Sequence, residues 1–218
     1  MPLYDAAALV RACTGPRALP LLPELRLHLS PALTPVWEAL AAAGPSPAPP
    51  WWAVAWPGGQ ALARLLLDRP ELVRGRRVFE LGCGCGISAI AAARAGAARV
   101  VAVDLDPCAV VLTLDNARRN GVEVEALAVD PLRRPPPDAD VVLAGDMCYE
   151  RAAAGPLLRW LQARADAGAT VLLADPGRGL APTAGLPVWA EHRVQVDDDT
   201  DPEPFRTVRV VQLRPTAA

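Results

Sequence analysis

Residues 77–90 read Arg77-Val78-Phe79-Glu80-Leu81-Gly82-Cys83-Gly84-Cys85-Gly86-Ile87-Ser88-Ala89-Ile90, and the fold is decided here. Arg77–Leu81 has the apolar character of a short strand. Gly82, Gly84 and Gly86 follow, and then an Ala-rich helical run, Ser88–Ala95, stopped by Gly96. Strand, glycine turn and helix in that order open a parallel α/β unit. Glycines allow a ligand to approach the backbone without a Cβ in the way. The helix that follows aims free N–H groups and its positive dipole end at that ligand, so a carboxylate or phosphate is expected there. The glycines alone leave the ligand class open. The dinucleotide pattern Gly-x-Gly-x-x-Gly/Ala fails from Gly82, because position 87 is Ile, but is met from Gly84 with Gly86 and Ala89.

Downstream, strand and helix alternate. Arg99–Asp104 reads as a second strand. Pro107–Asn120 reads as a helix, with Pro in its first turn and Gly121 just past its end. Glu123–Val129 is a third strand and Ala139–Ala144 a fourth, continuously apolar as a central parallel strand should be. A helix over Ala152–Ala167 and a fifth strand over Ala169–Ala174 follow. Glu191–Val196 and Arg206–Leu213 then leave no room for a helix between them. They predict an antiparallel hairpin whose tip, Asp197 to Glu203, is acidic and reads as a solvated turn. Upstream, Gln60 to Asp68 is an amphipathic helix. Residues 1–50 are broken by prolines and allow short helices at Tyr4–Cys13 and Thr34–Ala43, while Leu21, Leu22, Leu25, Leu27 and Leu29 demand burial. The expectation is a Pro-rich arm or lid over residues 1–50. Residues 51–218 then form one α/β domain, its sheet parallel until the last strands.

Composition bounds the rest. A chain of 218 residues, 52% hydrophobic and 21% charged, suits one globular core and excludes wholesale disorder. No apolar run reaches the ~18 residues of a membrane span. A net charge of −2 argues against a nucleic-acid binder. All 22 basic residues are Arg, so no lysine of this chain can be modified; GC-rich coding explains the bias. Five cysteines without a secretory leader suggest reduced thiols in a cytoplasm. Cys83 and Cys85 stand too close for zinc spacing and only two histidines exist, so no metal is expected.

Asp104 closes the second strand, where a carboxylate can accept both hydroxyls of a ribose; Asp106 is the better placed cap for the next helix. Glu80 before the first glycine, Asp104-Leu105-Asp106-Pro107, and the run Asp115 to Val122 together resemble the seven-stranded, class I S-adenosylmethionine-dependent methyltransferases. Pro23-Glu24-Leu25-Arg26-Leu27, Pro50 to Gln60 (Pro-Trp-Trp-Ala-Val-Ala-Trp-Pro-Gly-Gly-Gln), Gly145-Asp146-Met147-Cys148-Tyr149 and Asp175-Pro176-Gly177-Arg178 narrow the likeness. Together they are similar to the lysine methyltransferases of the electron transfer flavoprotein β-subunit. These carry an Asp/Glu-x-x-Tyr/Phe motif after the fourth strand. The resemblance runs from about residue 20 to 180.

It implies a Rossmann-like seven-stranded sheet, mostly parallel with a C-terminal antiparallel hairpin, and S-adenosylmethionine as cofactor. Glu80, Gly82, Gly84 and Gly86 would line its methionine end, Asp104 its ribose, and Asp130 its adenine amine; Trp56 would cover it. Asp146 and Tyr149 would stand where the methyl group is passed. The implied partner is a protein, the flavoprotein β-subunit; another protein such as a ribosomal one, or a small amine, is the alternative. A monomer is expected. A dehydrogenase is disfavoured, since no second domain is left to hold its substrate. Cys148 departs from the family, an aromatic being expected there at the lysine channel, and Asp130 falls where polar residues vary. Trp51 and Trp52 are balanced between core and ligand contact, whereas Trp37, Trp160 and Trp189 are expected in the core.

Overall fold

The computed structural model describes residues 5–43, 48–133, 138–177, 179–196 and 199–216. Its central sheet has seven strands: β3 (Arg77–Leu81), β4 (Arg99–Asp104), β5 (Glu125–Ala128), β6 (Val141–Gly145), β7 (Thr170–Asp175), β8 (Val188–Gln195) and β9 (Phe205–Leu213). Their spatial order is β5-β4-β3-β6-β7-β9-β8. The first five run parallel, and β9 pairs antiparallel with both β7 and β8. The strand order reverses between β3 and β6, and this switch point is where open α/β sheets bind ligands beyond their strand ends.

Alternation along each strand separates two apolar faces. Phe79, Leu81, Val142, Leu173 and Val211 turn toward α6 (Arg151–Asp166). Val78, Val100, Leu143, Leu172 and Val210 turn toward α3 (Pro57–Asp68), α4 (Ile87–Arg94) and α5 (Pro107–Arg119). The central strands β3, β6 and β7 are buried on both faces, which explains their unbroken apolar reading. α5 starts as anticipated: Asp106 accepts the Cys108 N–H at 2.8 Å and Pro107 occupies its first turn. α3 begins at Pro57, earlier than the expected Gln60, because Pro57 supplies a pre-set first turn.

The arm consists of α1 (Ala6–Cys13), a small antiparallel hairpin of β1 (Gly15–Arg17) and β2 (Leu27–Leu29), and α2 (Thr34–Ala43). The hairpin has no sequence signature, being only three residues per strand. Val10, Leu19, Leu22, Leu25, Leu27 and Leu29 join the same buried cluster as Leu62, Leu66 and Ile90. Asn116 of α5 and Asn120 at its C-cap hold β2 and the residue before it as a neighbouring strand would. Asn116 Oδ1 accepts the His28 N–H at 2.8 Å, and its Nδ2 donates to the His28 carbonyl at 3.3 Å. One turn on, Asn120 does the same for both backbone groups of Arg26, at 3.0 and 2.8 Å.

Three expectations need correction. Trp37 lies on the surface, 40% exposed, on a helix whose first turn is engaged elsewhere. The hairpin tip is no free-standing solvated turn: Asp199 accepts the Thr34 N–H at the start of α2, and Asp201 pairs with Arg206. Cys148 is fully buried among Ala144, Leu157 and Leu173, so it packs α6 onto the sheet. Asp197, Asp198 and Arg178 lie outside the described residues.

Candidate active site

The site forms at the carboxyl ends of β3, β4 and β6. After β3 the chain turns through Gly82, Gly84 and Gly86, all at positive φ (66°, 52° and 79°), which a side chain would disfavour. Their surroundings differ. A Cβ on Gly86 would strike Thr113 of α5, and one on Gly82 would strike the Met147 thioether. One on Gly84 would meet only the Trp52 Cα, at 3.9 Å, so Gly84 is the glycine that faces open space.

Asp104 at the end of β4 braces this turn. Its Oδ2 accepts the Gly84 N–H at 2.9 Å and its Oδ1 the Asp106 N–H at 3.0 Å. Each oxygen keeps a further lone-pair direction for a hydroxyl. Burial pushes the Asp104 carboxyl above its ordinary range, against the pull of those two N–H groups. Val129 donates to the Asp104 carbonyl at 2.9 Å, which brings Asp130 to the same edge. There Asp130 accepts the Leu132 N–H at 2.9 Å and pairs with Arg133.

Glu80 lies below the turn, 4% exposed, on the face of β3 toward α4. It accepts the Ala89 N–H at 3.0 Å. Burial pushes its carboxyl up to about 8, with Asp104 adding to the rise; Ser88 and the Ala89 N–H oppose it. A buried carboxyl so placed gains from any cation that comes to it.

Asp146 follows β6 with φ at 56°, the one non-glycine residue at positive φ among those described. Two anchors hold it there. Its N–H donates to the Ala174 carbonyl at 3.0 Å, and its Oδ2 accepts the Gly58 and Gly59 N–H groups at 2.5 and 3.2 Å. The carboxylate therefore caps α3, which has no other side-chain cap at its amino end. A Cβ on Gly58 would strike this carboxylate, and one on Gly145 would strike Gly58 and Gly59. The Gly58-Gly59 pair is thus needed for close approach of helix and strand end. The residue preceding α3 is Trp56, so the same contact fixes the aromatic segment against Tyr149.

Trp51 and Trp52 divide. Trp52 is 2% exposed and belongs to the core, whereas Trp51 is 39% exposed. Trp51 meets Trp56 edge-on at 5.4 Å between centroids and Tyr149 at 5.6 Å. The Trp56 Nε1–H donates to the Trp51 carbonyl at 2.7 Å, fixing the pair. Tyr149 is 48% exposed; burial of its remainder, with Glu150 and Asp104 nearby, pushes its phenol up. The structure thus gathers Glu80, Gly82, Gly84, Gly86, Asp104, Asp130, Asp146, Tyr149 and Trp56 at one end of the sheet. It adds Trp51, which the sequence left balanced between core and ligand contact, and Gly58, Gly59 and Met147, which the sequence placed in family-like segments without a role of their own. Gly58-Gly59 at a helix start was the visible signal for two of these. A cavity of about 270 Å³ at the opposite end of the sheet, lined by Phe79, Val142 and Trp160, shares no residue with this group. Among the described residues no group of three metal-ligating side chains is present.

Seven strands in this order, a glycine turn after the first parallel strand and acids closing the next ones define the class I methyltransferase fold. A solved Pyrococcus horikoshii structure, described as a candidate RNA methyltransferase, shares it with a TM-score of 0.58, at 18% identity over 76% of this chain and 89% of that one. Residues 62–147 match the ribosomal protein L11 methyltransferase family (PrmA). Proteins named electron transfer flavoprotein beta subunit lysine methyltransferase are 44% identical in Danio rerio, over 72% of this chain and 62% of that protein, and 38% in Homo sapiens, over 80% and 64%. The Caenorhabditis elegans homolog is 33% identical over 72% of this chain and 71% of its own length. This chain belongs to the electron transfer flavoprotein beta subunit lysine methyltransferase family. It spans 62% to 66% of the length of the vertebrate relatives it matches.

Proposed function

We propose that the protein is an S-adenosylmethionine-dependent protein-lysine N-methyltransferase whose substrate is the β-subunit of electron transfer flavoprotein. One observation carries the reading: a cradle suited to a cationic nucleoside lies at the same sheet end as an acid and aromatic group suited to an ammonium, in a chain of this family. When bound, S-adenosylmethionine supplies a methyl group on a cationic sulfur. Three features favour that fit. Glu80 is a buried carboxyl that gains from an amino group, Asp104 keeps acceptor capacity for ribose hydroxyls, and the face of Gly84 is open. Gly82 and Gly86 keep the turn in shape, Asp130 would accept from the adenine amine, and Trp56 would close the near side.

Transfer requires a neutral amine. Presenting a lysine of free pKa ~10.4 unprotonated at pH 7 costs about 4–5 kcal/mol. Asp146 would raise the amine's pKa by pairing with it, so its part is capture and aiming. Its grip on α3 suits it to aiming, because the carboxylate cannot swing away. Tyr149 shapes the channel and exchanges one hydrogen bond. Alignment of amine and methyl accounts for most of the rate. Residues 1–50 act as an arm or lid and residues 51–218 as the methyltransferase domain, working as a monomer. The five cysteines are all free thiols, in keeping with a cytoplasmic setting.

The test is intact-mass analysis of purified flavoprotein after incubation with this protein and S-adenosylmethionine. Mass gains in methyl steps are expected on the β-subunit, and about a hundredfold less with Asp146→Ala, as misaligning the amine would cost. Calorimetry must show that the variant still binds cofactor, since it also loses the α3 cap. No gain from wild-type protein that binds cofactor would discard the substrate. Ribosomal protein L11 is then the next one to try, because the matched segment 62–147 contains the cradle and Asp146.

A further inference from the structure

We infer that Trp51 is a specificity-determining residue, its ring forming with Tyr149 an aromatic wall that binds the cationic side chain of the substrate. The inference rests on the lysine-methyltransferase reading and deepens it. An aromatic ring at a protein surface is ordinary when isolated, but Trp51 is not isolated. Its backbone carbonyl is held by the Trp56 Nε1–H, and its ring centre lies 5.4 Å from that of Trp56 and 5.6 Å from that of Tyr149. Tyr149 comes from the loop after β6, so the two exposed rings are brought together by the α3–β6 contact at Gly58, Gly145 and Asp146.

Core packing does not account for the arrangement. Trp52, the next residue, fills the core, while Trp51 keeps 39% and Tyr149 48% of their surface open. Three carboxylates stand near the pair: Glu150 is adjacent, Asp104 is close enough to act on the Tyr149 phenol, and Asp146 lies in the same loop; Arg151, the next residue after Glu150, opens α6. Aromatic faces carry negative potential and attract a cation within ~6 Å of the ring centre, Trp most strongly. An acid-fringed pair of exposed rings therefore selects an ammonium over a neutral side chain of equal size. Because the ring binds the charged form, it acts in capture, and its loss weakens substrate binding more than the transfer step.

The test uses choline and its neutral isostere 3,3-dimethylbutanol, titrated into protein saturated with S-adenosylhomocysteine. Wild-type protein is expected to bind choline at least tenfold more tightly than the isostere. Trp51→Ala should bind choline about tenfold more weakly than wild type, and Trp51→Phe only about threefold more weakly. In the methyl assay Trp51→Ala should raise KM for the flavoprotein about tenfold and leave kcat within about threefold. Equal binding of choline and isostere, or equal choline binding by wild type and Trp51→Ala, overturns the inference. So does weakened S-adenosylhomocysteine binding by Trp51→Ala with an unchanged choline ratio, which would make Trp51 a cover for the cofactor. The choline titration decides the role of Trp51 even if the flavoprotein is not methylated, so the two readings fail separately.

Discussion

The carboxyl of Glu80 is the titrating group on which the site turns. It is pushed up from 4.5 to about 8 by burial. Between those values the folded chain keeps a proton that the unfolded chain has released. The contribution of this group to stability is therefore full below about 4.5 and is lost as the pH rises toward 8. A cationic ligand beside Glu80 favours the ionised form, so binding should expel a proton. At pH 7 the heat of S-adenosylhomocysteine binding should vary with buffer ionisation enthalpy by close to one proton. Glu80→Gln should abolish that dependence and weaken binding at least tenfold, as expected for loss of a charged hydrogen-bond partner worth ~1.5–3 kcal/mol. A buffer-independent heat with wild type would count against the pairing. Glu80 and the glycines were legible because they lie on one strand and turn, where local geometry sets direction. The Trp51 contact with Tyr149 was not, since no periodicity links residues so distant in the chain.

At the scale of elements, two contacts decide where the arm sits. Asn116 is fully buried and serves the His28 N–H, the His28 carbonyl and the Cys85 carbonyl, the last at 3.0 Å. It therefore ties the arm, α5 and the glycine turn together. Asn116→Ala leaves those backbone groups without their partner and should cost about 2–4 kcal/mol, seen as a lower urea midpoint with unchanged slope. Asp199 has a milder task, accepting the first N–H of α2 at 2.8 Å. Asp199→Ala should cost ~1 kcal/mol locally. Hydrogen exchange in the first turn of α2 should speed up about fivefold and stay unchanged in β3. Equal protection in both proteins would mean that the tip does not hold the helix. Strands, helices and the Asp106 cap were readable from the sequence, because caps and periodicity are local. The β1–β2 hairpin and the docked tip were not, because each forms only against a surface that another part of the chain provides.

For the molecule as a whole, the arm shares one core with the sheet. Leu22, Leu25, Leu27 and Leu29 are at most 4% exposed and pack in the cluster that includes Leu62, Leu66 and Ile90. Burying each such side chain contributes roughly 1.5–3 kcal/mol, so together they rival the net stability of an ordinary domain. Removal of residues 1–50 should therefore give a protein that aggregates or unfolds without cooperativity. Size-exclusion chromatography and a thermal melt would check this, and a monodisperse fragment with an unchanged melting temperature would show that the arm is dispensable. By itself, the sequence determined the alternation of strand and helix and the glycine turn with its acids, because those signals act over a few residues; the methyltransferase class rested on the resemblance of the surrounding motifs, since the glycines also met the dinucleotide pattern. The tertiary structure alone decided that Asp146 caps α3, that Trp51 stands against Tyr149 while Trp52 is buried, and that the arm and acidic tip close on each other. These depend on which faces meet across the fold, and side-chain packing between distant segments leaves no periodic trace in the chain.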